Sequence, residues 1–313
     1  MHFAAAAFML ALGQTNVFPT AEDKREIEEL LRFQRQYGDG IWPGFARANI
    51  PILLYDEQFE YLIGHPSPPE SWTRIEVGFL PGKDLHRRPP HKPSAFTVRV
   101  GDVWCASFAT FDYMTKRLQS GRELHIAATI HEMFHAFQAQ TAPDRFKSAM
   151  AVYAFESKYP ESDSTLLEDW KREGSLLADA LATAMSDETR SAVANFLAFR
   201  SERRKRAKLD KDLIAYETQL EWLEGMGKYA EVRIIELASL DTKTPPLYDL
   251  SAATRRRMSD SFQLRSGLAI AKGDIRYYQT GLAQARLLDR LLPKWKEVGL
   301  HKLWLEELLV SMR

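Results

Sequence analysis

The five residues from His131 to His135, with the sequence HEMFH, constrain this chain more than any other segment. Two histidines four residues apart lie on the same face of a helix, where both can bind one metal ion. Glu132 follows the first histidine directly, so its carboxylate can reach a water molecule at that metal. The spacing therefore predicts a helix whose histidine face is turned toward the interior of the protein.

The surrounding residues favour a helix from about Ser120 to Thr141. Ser120 and Glu123 have the spacing of a capping box, and from Leu124 the chain contains neither glycine nor proline until Pro143. Apolar and small residues recur at steps of three and four, in phase with both histidines. The alternative to a metal site is a pair of core histidines that are satisfied by hydrogen bonds alone.

Composition excludes several classes of protein. The chain has 313 residues, enough for a large core, and its 42 lysines and arginines equal its 42 acidic residues in number. This balance gives no indication of a nucleic-acid partner, and acidic residues interrupt the basic runs, as on a solvated helix face. The single cysteine, Cys105, excludes an intrachain disulfide and a cysteine-built zinc site, and its neighbours predict a buried strand.

The N-terminus resembles a secretory leader. The apolar run from Phe3 to Leu12 is too short to span a bilayer, and Ala11-Leu12-Gly13 fits a small-x-small cleavage site. We therefore expect residues 1–15 to be a signal peptide and the protein to be exported to the periplasm or the medium. No basic residue precedes the run, and the alternative is a short apolar helix packed on a cytoplasmic protein.

Residues 16–119 predict an N-terminal α/β lobe with a small sheet. A helix is expected over Ala21–Tyr37, ended by Gly38. The last two strands are expected to form a hairpin that turns at Gly101–Asp102, and a proline-rich loop is expected from 81 to 93. The expected strands are Pro51–Tyr55, Arg74–Phe79, Ala95–Val100 and Val103–Thr110.

Residues 120–313 are expected to form a helical lobe that begins with the motif helix. Helical periodicity extends over almost all of this segment, and prolines divide it into separate helices. The fold class predicted for the whole chain is therefore α+β, mostly α, with a small mixed β-sheet in the N-terminal lobe.

A catalytic zinc site needs a third protein ligand, because two imidazoles leave the ion incompletely coordinated. The candidates are Glu224, Glu173 and Glu156, which lie on segments with helical periodicity. Glu224 and Glu173 each precede a glycine, whereas Glu156 is the nearest to the motif in sequence. Spacing alone leaves all three open.

The segment Glu221–Glu231, with the sequence EWLEGMGKYAE, resembles the W-L-x-E-G-x-A-x-Y-x-E signature of the gluzincin clan of zinc metallopeptidases, although one spacer residue is missing. That clan includes the thermolysin, aminopeptidase N and peptidase MA-like families. The resemblance implies a zincin-like fold in which Glu224 is the third zinc ligand.

A second motif agrees with the first. Tyr278–Gly281, with the sequence YQTG, resembles the Tyr-x-Lys-Gly element of aminopeptidase N-like enzymes. The resemblance implies that Tyr278 stabilises the oxyanion, with Tyr277 as the neighbouring alternative. The three motifs relate Val103–Leu292 to the clan, and several longer stretches are similar to an uncharacterised bacterial branch of zinc peptidases.

The chain also departs from the clan. Thermolysin relatives carry an aspartate four residues after the third ligand, where this chain has Lys228, so we expect Glu217 to orient a zinc histidine instead. The G-A-M-E-N element that binds a free amino terminus is absent, which favours an endopeptidase over an aminopeptidase. The clan's layout further implies that the strand Val103–Thr110 lies at the edge of the sheet, where a substrate backbone can pair with it.

Together these features predict zinc-dependent hydrolysis of a peptide or protein substrate. His131, His135 and Glu224 would bind one zinc ion per chain, Glu132 would act as the general base, and Tyr278 would stabilise the oxyanion. The alternative, from a different class, is a protein of the cell envelope that binds zinc or a partner without catalysing a reaction.

Overall fold

The computed structural model describes residues 18–91, 95–118, 121–251, 255 and 262–312. The expected signal peptide, residues 1–15, and the expected cap residue Ser120 lie outside these residues. Among the described residues, the α-helices are α1 (Ala21–Ile41), α2 (Phe111–Leu118), α3 (Arg122–Thr141), α4 (Pro143–Ala151), α5 (Ser164–Ala182), α6 (Ser186–Arg206), α7 (Lys211–Leu220), α8 (Met226–Leu240), α9 (Ile275–Leu291), α10 (Lys296–Gly299) and α11 (Leu305–Val310). The strands are β1 (Ile52–Tyr55), β2 (Glu60–Ile63), β3 (Thr73–Leu80), β4 (Lys83–Arg88), β5 (Phe96–Val100) and β6 (Val103–Ala109).

The strands form one mixed sheet of six strands in the order β3-β4-β2-β1-β6-β5. β1 is parallel to β6, and every other neighbouring pair is antiparallel. The expected hairpin is present: Val100 pairs with Val103, and Gly101 adopts a φ of 57°, which glycine tolerates. With this sheet beside a predominantly helical body, the α+β, mostly α fold class is confirmed.

The position expected for β6 at the edge of the sheet is wrong. β6 lies between β1 and β5, so both sides of its backbone are paired. Most of its side chains are buried, as in a strand that is covered on both faces. β5 is the outer strand on this side of the sheet, and it contacts α3.

Two further boundaries differ from the sequence-based expectation. α1 continues through Gly38 to Ile41. Gly38 faces the backbone of Ala46, where a Cβ atom would lie 2.7 Å from the backbone nitrogen. This glycine permits close packing and does not end the helix. The expected proline-rich loop contains β4, which pairs with β2 and β3, and β2 itself is a strand that the sequence pattern does not predict.

The sheet and the other helices together cover α3. This helix contacts β6 on one side and α8 on the other, α1 packs against both α3 and α8, and α9 packs against α5 and α8. One large hydrophobic core contains side chains of the sheet and of the helices, including Leu54, Ile130 and Phe134. A smaller cluster on the opposite face of the sheet contains Cys105, which confirms this cysteine as a buried core residue. None of the described helices has the length and hydrophobicity needed to cross a bilayer.

Candidate metal centre

α3 places both motif histidines in the interior. His131 is 4% exposed and His135 is 0% exposed, and the centroids of their rings are 4.7 Å apart. The helix runs from Arg122 to Thr141, with Gly121 at its N-cap. Because β6 and α8 cover α3, the histidine rings face other protein groups and not solvent.

Glu224 reaches the histidines from a turn of π-helix. The segment Glu221–Gly225 joins α7 to α8 as a π-helical turn and continues the helical path. Such turns are rare, and they occur frequently at functional sites. Glu224 Oε2 lies 3.5 Å from His131 Nε2 and 3.3 Å from His135 Nε2, so the structure brings these three sequence-predicted residues together.

The separations within this group fit a shared metal ion. Zinc binds histidine nitrogen and carboxylate oxygen at about 2.0–2.2 Å in a tetrahedron, which places two ligand atoms about 3.3–3.5 Å apart. The measured nitrogen–oxygen separations are 3.3 and 3.5 Å, and one ligand atom from each of the three residues lies within 4.8 Å of the others. Both separations exceed the usual N–H···O hydrogen-bond length of about 2.7–3.2 Å.

Three buried polar atoms at this point have no hydrogen-bond partner among the described residues. They are His135 Nε2, Glu224 Oε2 and Glu132 Oε2. Leaving a buried polar group unpaired costs roughly 1–3 kcal/mol, so three such atoms in one place are not typical of a protein core. A metal ion bound by the first two, with a water molecule beside the third, would satisfy all of them.

The other nitrogen of each histidine ring has its own partner. His131 Nδ1 is 3.5 Å from Glu231 Oε2, and His135 Nδ1 is 2.9 Å from Gln138 Oε1. The Gln138 oxygen can only accept a hydrogen bond, so His135 Nδ1 carries the proton, and a neutral His135 keeps at Nε2 the lone pair that a metal binds. The Glu231 carboxylate faces His131 Nδ1 at the distance of an ion pair. Neither partner is predicted from the sequence, although Glu231 is the last residue of the segment Glu221–Glu231 that resembles the clan's signature.

Glu231 takes the place that was expected for Glu217. That expectation is wrong, because Glu217 is bound by Arg203 and neighbouring groups in a separate buried cluster. Glu231 follows Glu224 by seven residues, nearly two helical turns, and therefore faces the same side of α8. Lys228, at the position of the clan's aspartate, donates to Glu231 Oε1 at 2.5 Å and balances its charge.

The charges around the ligand atoms are mutually stabilising. Burial lowers the pKa of His131, but Glu224 and Glu231 outweigh burial and raise that pKa to about 10. Burial raises the pKa of Glu224, yet His135 and His131 hold it well below its ordinary value. The Glu224 carboxylate is therefore ionised, and a metal that binds here displaces a proton from the imidazole.

Glu132 differs from Glu224 in its environment. It is 7% exposed and does not belong to the group of possible metal ligands among the described residues. Burial raises the pKa of Glu132, although the two histidines oppose the shift. A carboxylate with a raised pKa is suited to accept a proton and return it near neutral pH.

Two tyrosines border the Glu224 side of the site. The Tyr278 ring stacks on the His131 ring, with centroids 5.4 Å apart, and burial and Glu224 raise the pKa of its hydroxyl. Tyr153, which the sequence analysis did not identify, donates to Glu224 Oε1 at 2.7 Å and lies 3.1 Å from Asp274 Oδ2. Burial and these carboxylates also raise the pKa of Tyr153. Both phenols therefore keep their protons and act as donors.

The other candidates from the sequence lie elsewhere. Glu173 is fully buried, but its carboxylate binds two arginines of α6. Glu156 is exposed, and neither glutamate joins the histidines in the metal-binding group of the described residues. Tyr277 is buried against Trp170, so it is not an alternative to Tyr278.

Glycines allow the backbone to approach the site closely. A Cβ atom on Gly227, in the first turn of α8, would lie 2.6 Å from His131 Nε2. A Cβ atom on Gly225 would lie 2.4 Å from the Cα atom of Gly281. α9, which carries Tyr278, therefore lies directly against the π turn.

No protein-family model matches this chain, and comparisons with curated proteins and with solved structures gave no match. Any function assigned to the site must therefore be argued from its geometry and its residues.

Proposed function

We propose that this protein is a zinc-dependent hydrolase that cleaves peptide bonds. The observation that supports the proposal most strongly is the meeting of His131, His135 and Glu224 at one buried point, with the unpaired Glu132 carboxylate oxygen also buried there. Two imidazoles and one carboxylate are a ligand set of catalytic zinc sites, in which water or substrate takes the remaining position.

Each residue of the site has a distinct role in the proposed reaction. Zinc, when bound, supplies a Lewis acid that polarises a carbonyl group and lowers the pKa of a water molecule. Glu132 accepts the proton of the attacking water and returns it to the leaving amine. Tyr278 donates a hydrogen bond to the oxygen on which negative charge develops. Tyr153 occupies Glu224 Oε1 and leaves Oε2 for the metal.

The sheet supports a peptide as the substrate. β5 is an outer strand that contacts α3, and among the described residues no strand pairs with its other side. The ring of Phe96, at the start of β5, lies 4.8 Å from the ring of His135. A peptide backbone that pairs with β5 would therefore pass the histidines and could continue on both sides of the cleaved bond, which favours an endopeptidase.

Zinc binding without catalysis is the second candidate, and the burial of the site favours it. Glu132 is only 7% exposed and Glu224 only 1% exposed, as in a closed structural site. A structural zinc site, however, uses four protein ligands, whereas the described residues bring three together. The unpaired Glu132 is the group that separates the two candidates.

Metal analysis combined with peptide hydrolysis tests the proposal. Wild-type protein loaded with zinc and freed of excess ion should retain one zinc ion per chain, and His135→Ala should retain none. Glu132→Gln should keep the metal and lose at least about 100-fold in turnover of a fluorogenic peptide library. Glu123→Gln, the same change in the first turn of α3, is the matched control and should keep both properties.

Each result bears on one part of the proposal. Wild-type protein that retains no zinc contradicts the metal site. A Glu132→Gln variant with wild-type turnover contradicts the general base. Stoichiometric zinc without turnover of any peptide supports the protein that binds zinc without catalysis.

A further inference from the structure

Gln138 links the motif helix to the turn that carries Glu224. Its side chain is fully buried, one helical turn after His135 on α3. Its amide oxygen lies 2.9 Å from His135 Nδ1, and its amide nitrogen donates to the backbone carbonyl of Trp222 at 2.9 Å. Both ends of the amide are therefore used, and each contacts a different part of the candidate site.

The orientation of this amide follows from the chemistry of its neighbours. The Trp222 carbonyl can only accept a hydrogen bond, so the amide NH₂ group of Gln138 must face it. The amide oxygen then faces His135 and can only accept, so His135 Nδ1 must carry a proton. The Trp222 carbonyl therefore sets the orientation of the Gln138 amide, and this amide places a proton on Nδ1 of His135. In a neutral His135 the lone pair is then on Nε2, which faces Glu224.

The Trp222 carbonyl belongs to the π turn, two residues before Glu224. Trp222 is itself held in place, because its indole nitrogen donates to the Gly299 carbonyl at 2.9 Å. The Gln138 amide therefore fixes the distance between two metal ligands that are far apart in sequence: His135, which it contacts directly, and Glu224, through the backbone of the turn.

We infer that Gln138 is a positioning residue of the proposed metal site: it fixes the protonated nitrogen of His135 and holds the π turn that presents Glu224. The inference rests on the proposed metal site. It goes beyond it because it assigns one neutral side chain the task of aligning two ligands from different helices. Glu231 faces Nδ1 of His131 in a comparable way, but its second partner is Lys228 of its own helix.

A measurement on metal-free wild-type protein tests the first half of the inference. Nitrogen-15 NMR of the imidazole ring should show a protonated Nδ1 on His135 wherever the protein is folded. A neutral His135 with its proton on Nε2 and a bare Nδ1 would overturn the assignment. This experiment needs neither bound zinc nor activity, so it remains decisive even if the proposed function fails.

The substitution Gln138→Met tests the second half, because methionine fills a similar volume without donating or accepting strongly. Zinc affinity, measured by competition with a chelator, should fall by about 10–100-fold. Gln140→Met, on the same helix but exposed and with only 3.4 Å contacts to carbonyls, is the matched control and should bind zinc normally.

The outcomes are distinguishable. Wild-type protein that binds no zinc refutes the proposed function, while the NMR result still decides how Gln138 orients His135. Wild-type protein that binds zinc, together with a folded Gln138→Met variant of equal affinity, refutes the positioning role alone. If Gln138→Met does not fold, the NMR measurement on the wild-type protein decides how Gln138 orients His135, and Gln138→Leu takes the place of Gln138→Met in the chelator competition, where wild-type affinity would refute the hold on the π turn.

Discussion

Replacing Gly227 by alanine should remove zinc binding without unfolding the protein. A Cβ atom at this position would lie 2.6 Å from Nε2, 2.8 Å from Cε1 and 2.9 Å from Cδ2 of His131. Non-bonded atoms are best separated by about 3.5 Å, so the ring must retreat by about 0.9 Å, which is about 3.5 Å less 2.6 Å. The ring cannot move freely, because Tyr278 stacks on it and Glu231 faces its Nδ1 atom.

This displacement is large for a metal ligand. Metal–ligand distances tolerate changes of about 0.2 Å. Replacing a residue that only hydrogen-bonds to a metal ligand weakens metal binding by about 10–100-fold. A shift of about 0.9 Å in His131 itself should therefore weaken zinc binding by more than that. Alanine also replaces glycine inside a helix, which stabilises the folded state by up to about 1 kcal/mol and offsets part of the strain. The metal-free variant should therefore melt close to the wild-type temperature.

Thermal melts with and without zinc, together with chelator competition, measure both effects. Zinc should raise the melting temperature of the wild-type protein, because a ligand that binds only the folded state stabilises it, and should leave Gly227→Ala unchanged. Gly40→Ala is the control: its Cβ atom would approach only Leu237 Cδ1, at 2.8 Å, the end of a flexible side chain. A Gly227→Ala variant that binds zinc as tightly as the wild-type protein would refute the position assigned to His131.

Three further substitutions separate catalysis, zinc binding and stability. Tyr278→Phe should lower kcat by about 10²–10³-fold and leave zinc affinity unchanged. Tyr153→Phe removes the donor to Glu224 Oε1 and should weaken zinc binding. Steady-state kinetics and chelator competition distinguish the two effects. Arg203→Met should cost about 3–5 kcal/mol in urea unfolding, because it leaves Glu217 buried without its bidentate partner. Burial raises the pKa of Glu217, but Arg203 and its neighbours hold it below its ordinary value of 4.5. The wild-type protein should therefore lose stability as the pH falls below that value, and Arg203→Met should lose less.

Local sequence patterns predict the elements that local interactions control. α3 and the hairpin of β5 and β6 follow from periodicity and from turn residues, and both are present. β4 has no such pattern: its sequence, KDLHRR, is mostly polar, and only its central Leu85 and His86 are buried. It is a strand because β2 and β3 pair with it, and pairing of this kind depends on tertiary context more than on the segment's own residues.

The candidate site shows the same division. Glu224 could be predicted because the segment around it resembles a known signature. Glu231 could also have been predicted, since it lies seven residues later on the same helical face. Tyr153 carries no comparable signal. It lies in the short 3₁₀-helical segment Val152–Lys158 and reaches Glu224 only because the intervening helices fold back toward α3. Only the folded structure places this donor at the site.

The helices between α3 and the π turn also explain how Glu224, so distant in sequence from the two histidines, is held in place beside them. Arg200 of α6 donates to both carboxylate oxygens of Glu221, at 2.9 and 2.6 Å, and both side chains are buried. Glu221 begins the π turn, and Glu224 follows three residues later in the same turn. Arg200 also binds Glu173 of α5 and Glu306 of α11, so the turn is fixed relative to two further helices. A buried arginine requires such partners, and here the same ion pairs that satisfy it restrict the movement of Glu224. The buried ion pairs of Arg200 and the candidate metal centre are therefore connected by a single π-helical turn.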